Sequence, residues 1–259
     1  RWTDLNTLNL WEHKLGFRFI HLKQEAYFSN MTWKKFDFNA GLRNDIFNIR
    51  NIKSEDILGD YDFSQLNNDF VSLFVTGRAD SFDDGYFPTR GVKSHLSYSW
   101  TFAGFPKDFN NFHTVSAGVK GVVPIGDIFA YIPYANVRFL LGYDVPVAYF
   151  NAIGGSLAGR YVDQQIPFIG VTNLWAMKNL LTMVGMDFRF RIYKNNYITG
   201  ILNYVRDCDH FNNYLNDLGH FGAGIEYAYD TIFGPIKANI HWSDMTGKVG
   251  FYISAGFNF

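Results

Sequence analysis

The chain has 259 residues and a formal net charge of −1, so no global charge draws it to nucleic acid or to an anionic surface. Its 27 Phe, 16 Tyr and 6 Trp make up 19% of the residues, yet the mean hydropathy is only −0.10. Apolar and polar residues are therefore interleaved, which suits a wall between lipid and water better than an aliphatic core in a polar shell. No run of about 18 apolar residues occurs, which excludes a spanning helix but not membrane strands of about 9–11 residues with every second one apolar. The single cysteine, Cys208, excludes an internal disulfide framework and fits passage through an oxidising periplasm. No signal peptide begins at Arg1, so an exported protein would be present in mature or trimmed form.

In chain order, weakly patterned strands are expected at about 2–11 and 14–27. Phe36, Phe38, Ala40 and Leu42 then alternate with Asp37, Asn39, Gly41 and Arg43. A weaker strand at 68–80 precedes Val92, Leu96, Tyr98 and Trp100, which alternate with Lys93, His95, Ser97 and Ser99. Weaker strands follow at 112–123 and 127–142. Val184, Met186, Phe188, Phe190 and Ile192 then alternate with Gly185, Asp187, Arg189 and Arg191, with a further strand at 196–206. Phe221, Ala223, Ile225 and Tyr227 alternate with Gly222, Gly224, Glu226 and Ala228, and Ile236, Ala238, Ile240 and Trp242 with Lys237, Asn239, His241 and Ser243. From Val249 the apolar side carries Val249, Phe251, Ile253, Ala255, Phe257 and Phe259, with small or polar residues opposite. This is period two, the signature of strands with one apolar face, and about twelve such segments fill the chain.

The connections alternate as well. Those at 124–127, 194–196 and 231–234 are short, whereas 51–67, 143–179 and 207–217 are long and irregular. If Phe259 ends at the periplasmic side, up-and-down order puts 143–179 and 207–217 outside and 124–127 and 194–196 inside. A soluble β-sandwich also alternates, but its strands are shorter and lack aromatic residues at the ends of their apolar faces. The expected fold is all-β: one transmembrane antiparallel β-barrel domain over 1–259, in the outer membrane of a Gram-negative bacterium and bathed in its lipid. No cofactor, metal or nucleic-acid partner is expected.

Three groups of residues carry a resemblance. The terminal strand, with Phe251, Phe257 and Phe259, is similar to the C-terminal signal read by the outer-membrane assembly machinery. Asp84-Gly85-Tyr86-Phe87-Pro88-Thr89-Arg90-Gly91 resembles an F-P-T-x-G turn at a periplasmic strand junction, where Pro88 fixes φ and Gly91 permits a positive one. Asn151-Ala152-Ile153-Gly154-Gly155, Gly159-Arg160-Tyr161 and Gln165-Ile166-Pro167-Phe168 resemble the G-G and V-R-G-F/Y motifs of a long outer loop, with the glycine here ahead of the arginine. Together they resemble the barrel-assembly superfamily, the BamA/TamA class catalogued as the bacterial surface antigen domain. The likeness covers about 85–259, and the chain looks most like barrels fused to patatin-like phospholipase domains in Bacteroidetes-type proteins. It implies that the long loop folds into the lumen, where Arg160 meets acids of the wall such as Asp187 or Glu226; Arg189 and Arg191 also compete for Asp187. It further implies a parent barrel of sixteen strands, of which this chain is a piece or a shortened relative.

Other candidate chemistry is thinner. Asp207-Cys208-Asp209-His210 could touch a metal, but no second cluster has ligand spacing. Gly154-Gly155-Ser156-Leu157-Ala158-Gly159 approaches the G-x-S-x-G elbow of a patatin nucleophile but has Ala158 where the last glycine belongs. A barrel phospholipase needs a Ser–His pair on the outer face, whereas His95 and His241 fall on the polar faces. The chain itself is therefore read as no enzyme. It is expected to be a membrane anchor and a protein export or insertion element, assembled by the barrel-assembly machinery and able to serve a passenger or partner subunit. The alternatives are a porin-like channel and a barrel phospholipase.

Overall fold

The computed structural model describes residues 2–10, 13–33, 35–54, 69–105, 108–155, 162–215 and 218–256. Its strands are, in chain order, β1 (Trp2–Leu10), β2 (His13–Trp33), β3 (Phe36–Ser54), β4 (Asp69–Asp80), β5 (Gly91–Gly104), β6 (Phe112–Ile125) and β7 (Phe129–Gly142). Three short ones follow, β8 (Asn151–Ile153), β9 (Gln165–Ile166) and β10 (Leu174–Met177). The rest are β11 (Leu180–Tyr193), β12 (Asn196–Cys208), β13 (His220–Tyr229), β14 (Ile236–Ser243) and β15 (Val249–Ala255). Twelve long strands, β1–β7 and β11–β15, pair antiparallel in sequence order, β7 directly with β11. Among the described residues β15 pairs only with β14, while the second edge of β1 pairs in parallel with β10 at Leu8–Leu174 and Asn9–Trp175.

All twelve expected strands are present. β2 and β3 run further than their alternation indicated, so 51–54 is strand rather than loop. Neither Phe257 nor Phe259 is among the described residues.

The faces sort as the alternation requires. Val249, Phe251 and Ile253 on β15 are exposed, as are Ile236, Ile240 and Trp242 on β14 and Phe221, Ile225 and Tyr227 on β13. The alternate residues of β14, Asn239, His241 and Ser243, are buried. Ile240 and Phe251 are each 59% exposed. In water, exposing such a side chain forgoes about 1.5–3 kcal/mol each, repeated over many positions; hydrocarbon removes that cost. Trp33, Tyr193, Tyr229 and Phe233 are exposed at one end, and Phe102, Phe105, Tyr143 and Phe211 at the other, forming two aromatic rims.

The wall curls around its polar face. The connection from β7 to β11 touches Asp45 on β3 and also packs against Gly222 on β13, so these distant strands face one interior. The turns at 126–128 and 194–195 lie at one end of that lumen. The connections 143–179 and 209–219 lie at the other.

Candidate functional site

The candidate site is the lumen, and residues distant in sequence fill it from both ends. At the long-loop end the connection between β7 and β11 folds inward. β8 pairs antiparallel with β10 and parallel with β9, making a small sheet inside the wall. Its apolar residues are buried against wall residues in two clusters. Ala152, Val162, Leu174 and Ala176 pack with Phe47 of β3 and Phe70 of β4. Ile153, Ile166, Phe168, Val171 and Met177 pack with Leu181 and Met183 of β11 and Val205 of β12. Burial of this kind removes apolar surface from lumen water and so favours the docked loop.

Hydrogen bonds set its position. Arg138 of β7 donates to the carbonyl of Tyr149 at 3.1 Å and to Asn151 Oδ1. The Ile169 amide donates to Asn203 Oδ1 of β12 at 3.0 Å, and the Lys178 amide to Asp207 Oδ2 at 2.8 Å. Across the lumen the Tyr149 hydroxyl donates to Asp45 Oδ2 at 3.1 Å, and His21 Nε2 donates to Asp45 Oδ1 at 2.7 Å. Burial, reinforced by the Asp45 carboxylate, pushes the Tyr149 phenol well above its ordinary pKa, so it remains a donor. Lys23 of β2 pairs with Asp163 of the loop.

The glycine motif lies within this inward sheet. Gly154 has φ +123°, and its amide donates to the Ile166 carbonyl at 3.1 Å; the Gly155 amide donates to Val171 at 2.6 Å. A Cβ at Gly154 would sit 2.1 Å from the Asn173 carbonyl, so only glycine fits. Ser156, Gly159, Arg160 and Tyr161 lie outside the described residues. The two acids proposed for Arg160 are engaged with lysines: Asp187 lies 3.4 Å from Lys120, and Glu226 lies 3.4 Å from Lys237. Arg191 donates to the Asp127 carbonyl at 2.7 Å, at the short-turn end.

At the short-turn end the connection between β4 and β5 also turns inward. Asp84 Oδ1 accepts the amides of Tyr86 and Phe87, each at 2.7 Å. Asp83 accepts the Thr89 amide at 2.8 Å, the Thr89 hydroxyl and the Arg90 amide at 3.2 Å. Gly91 has φ +114°, and a Cβ there would meet the Ser81 carbonyl at 2.3 Å. Held in this shape, the turn buries Phe87 and Pro88. Phe87 stacks on Tyr197 of β12 at 4.2 Å and 8°, and Arg189 of β11 donates to the Pro88 carbonyl. Thr89 and Arg90 remain exposed.

Sequence reasoning located the turn and the glycine motif but missed Arg138, Asp45, Tyr149, Arg189 and Tyr197 as their partners. One signal was available: Gly222 and Gly224 on the polar face of β13 leave room there, and Ile169 occupies it, its carbonyl 2.1 Å from a Cβ built at Gly222. Among the described residues no three His, Cys, Asp or Glu side chains converge as metal ligands.

A model of the OMP85 superfamily matches residues 3–259. The chain belongs to the OMP85 superfamily. That match reaches well ahead of residue 85, where the recognised motifs begin, so the first strands belong to the same barrel. No curated protein matches this OMP85 chain. The crystal structure of BamA from Haemophilus ducreyi lacking POTRA domains 1–3 is similar to it, with 14% identity and a TM-score of 0.64 over 96% of this chain. At that identity the likeness shows the fold. The chain spans 56% of that protein's length, little more than half. It is an OMP85 outer-membrane β-barrel.

Proposed function

We propose that this OMP85 barrel anchors a larger outer-membrane protein and serves as its protein export or insertion element. In this reading the long-loop end faces outside and the short-turn end faces the periplasm. The observation that carries it is the inward sheet of β8–β10, buried against Phe47, Phe70, Leu181, Met183 and Val205. A passive pore has no use for a hydrophobic core in its lumen, whereas an element that opens only when engaged needs a stable closed state. The parent protein is inferred to be patatin-like, on the residues Gly154-Gly155, Gly159-Arg160-Tyr161 and Gln165-Ile166-Pro167-Phe168. The barrel-assembly machinery would read the terminal strand, and a passenger or partner subunit would use the finished barrel.

The barrel reconstituted in liposomes is expected to speed insertion or translocation of an unfolded outer-membrane client over protein-free liposomes. In planar bilayers it is expected to give only brief, small conductance steps. A large, steady conductance with no effect on the client would replace this reading with the porin-like one. The chain is also proposed to have no hydrolytic activity of its own. Phospholipid hydrolysis by the purified barrel, abolished in Ser156→Ala, would overturn that. A G-x-S-x-G domain encoded upstream of Arg1 would support the patatin-like parent, and a different domain there would refute it.

A further inference from the structure

We infer that the connection Ser81–Arg90 is a bar across the short-turn mouth of the lumen, latched on the far wall by Arg189 and Tyr197, which swings aside before anything enters from that end. The inference rests on the barrel reading above and adds a moving part to it. Neighbouring antiparallel strands are usually joined by loops of two to five residues, as at 194–195, so this longer connection is more than β4 and β5 need.

The contacts of the connection progress across the barrel. Phe82 packs on Val122 of β6 and on Ala130 and Ile132 of β7. The Pro88 carbonyl accepts from Arg189 on β11, and the Phe87 ring lies flat on Tyr197 of β12. Lys237 of β14 places its Nζ 5.7 Å from the centre of the Phe87 ring. Between β5 and β14 stand β6, β7, β11, β12 and β13, so the connection starts on one wall and ends on the opposite one.

Two properties make this a latch rather than a fixed cap. The connection is braced from within, because Asp80, Asp83 and Asp84 accept the amides of Phe82, Tyr86, Phe87, Thr89 and Arg90. The far contacts are also few and replaceable. Arg189 is 7% exposed, and among the described residues its one hydrogen-bond acceptor is the Pro88 carbonyl. When the bar moves, water at the opened mouth takes the place of that carbonyl, and Tyr197 and Lys237 likewise become hydrated. The closed state therefore rests on a handful of contacts at the far end of the connection, the kind of local attachment that can open without unfolding the wall.

The test uses the barrel in detergent, with Cys208→Ser removing the native thiol and Ser97→Cys placing a probe on the lumen face of β5. Because the inward sheet occupies the lumen toward the long-loop end, a bulky water-soluble maleimide is expected to reach the probe through the short-turn mouth. Against this parent, Arg189→Ala and Phe87→Ala are expected to raise the labelling rate about tenfold or more, and Phe87→Trp, which keeps the stack, to leave it slow. Folding of every variant is checked by its heat-dependent shift in detergent gels. Folded Arg189→Ala and Phe87→Ala barrels labelled within about twofold of the parent would overturn the latch, as would a parent labelled as fast as a surface thiol. Loss of the heat-dependent shift in the parent itself would instead count against the barrel reading.

Discussion

Arg138 and Asn151 are both buried, and each meets hydrogen-bonding needs of the other. The Arg138 guanidinium donates to Asn151 Oδ1, while Asn151 Nδ2 donates to the carbonyls of Lys178 at 2.7 Å and Asn179 at 2.9 Å. One side-chain pair thus ties strand β7 to both limbs of the inward loop. Among the described residues no carboxylate lies within ion-pair distance of Arg138, so neutral oxygens replace its water.

Asn151→Ala therefore removes an acceptor from a buried cation and a donor from two carbonyls. It is expected to weaken loop docking by about 1–3 kcal/mol. The readouts are faster tryptic cleavage within 143–179 and a lower unfolding temperature in detergent gels. Arg138→Leu combined with Asn151→Ala should cost less than the sum of the two, because the orphaned cation is gone. Unchanged cleavage in Asn151→Ala would refute the role given to this pair.

Gly222 and Gly200 provide a steric contrast. A Cβ at Gly222 would sit 2.1 Å from the Ile169 carbonyl, whereas one at Gly200 would meet nothing within 4 Å. Gly222→Ala is expected to displace the loop at a cost of about 1–3 kcal/mol. Gly200→Ala should leave stability unchanged or slightly raised. Equal melting profiles for the two would mean that the loop yields freely at Ile169.

The turn at the opposite end carries a pH signature. Hydrogen bonding from the Thr89 hydroxyl, reinforced by the Arg90 and Thr89 amides, lowers the Asp83 pKa from 3.8 to about 2. A group with a depressed folded pKa stabilises fully above its unfolded value and loses that contribution as pH falls through the folded one. The Thr89 and Arg90 amides should thus keep their hydrogen-exchange protection from neutral pH down to about 4 and lose it toward about 2. Asp83→Asn should remove this pH dependence. Loss of protection already in the range where histidines titrate would point to a different group.

A charge distinguishes the two faces of the wall. Ile240→Arg places a cation among lipid tails, with a cost of roughly 2–4 kcal/mol near the bilayer midplane. Ser97→Gln, on the lumen face, should cost less than about 1 kcal/mol. Folding yield into liposomes measures both. Normal insertion of Ile240→Arg would remove Ile240 from the lipid-facing band.

Much of the wall was legible in the residues. Val249, Phe251 and Ile253 alternate with Gly250, Tyr252 and Ser254 because lipid and lumen select opposite side chains on a strand whose side chains switch face at every step. That rule is local, and it sufficed for all twelve long strands and for which connections are short. It could not show β8–β10, whose pairs are too brief for a period to emerge, nor the inward course of Phe87.

The sequence by itself thus determined the strands, their two faces and the membrane class of the fold, since each follows from neighbours along the chain. What occupies the lumen was decided only by tertiary structure. Arg189 meets Pro88 across 101 positions, and Tyr149 meets Asp45 across 104. Partners that far apart become neighbours only when the sheet curls, and no pattern within a strand records which side chains then face each other across the interior.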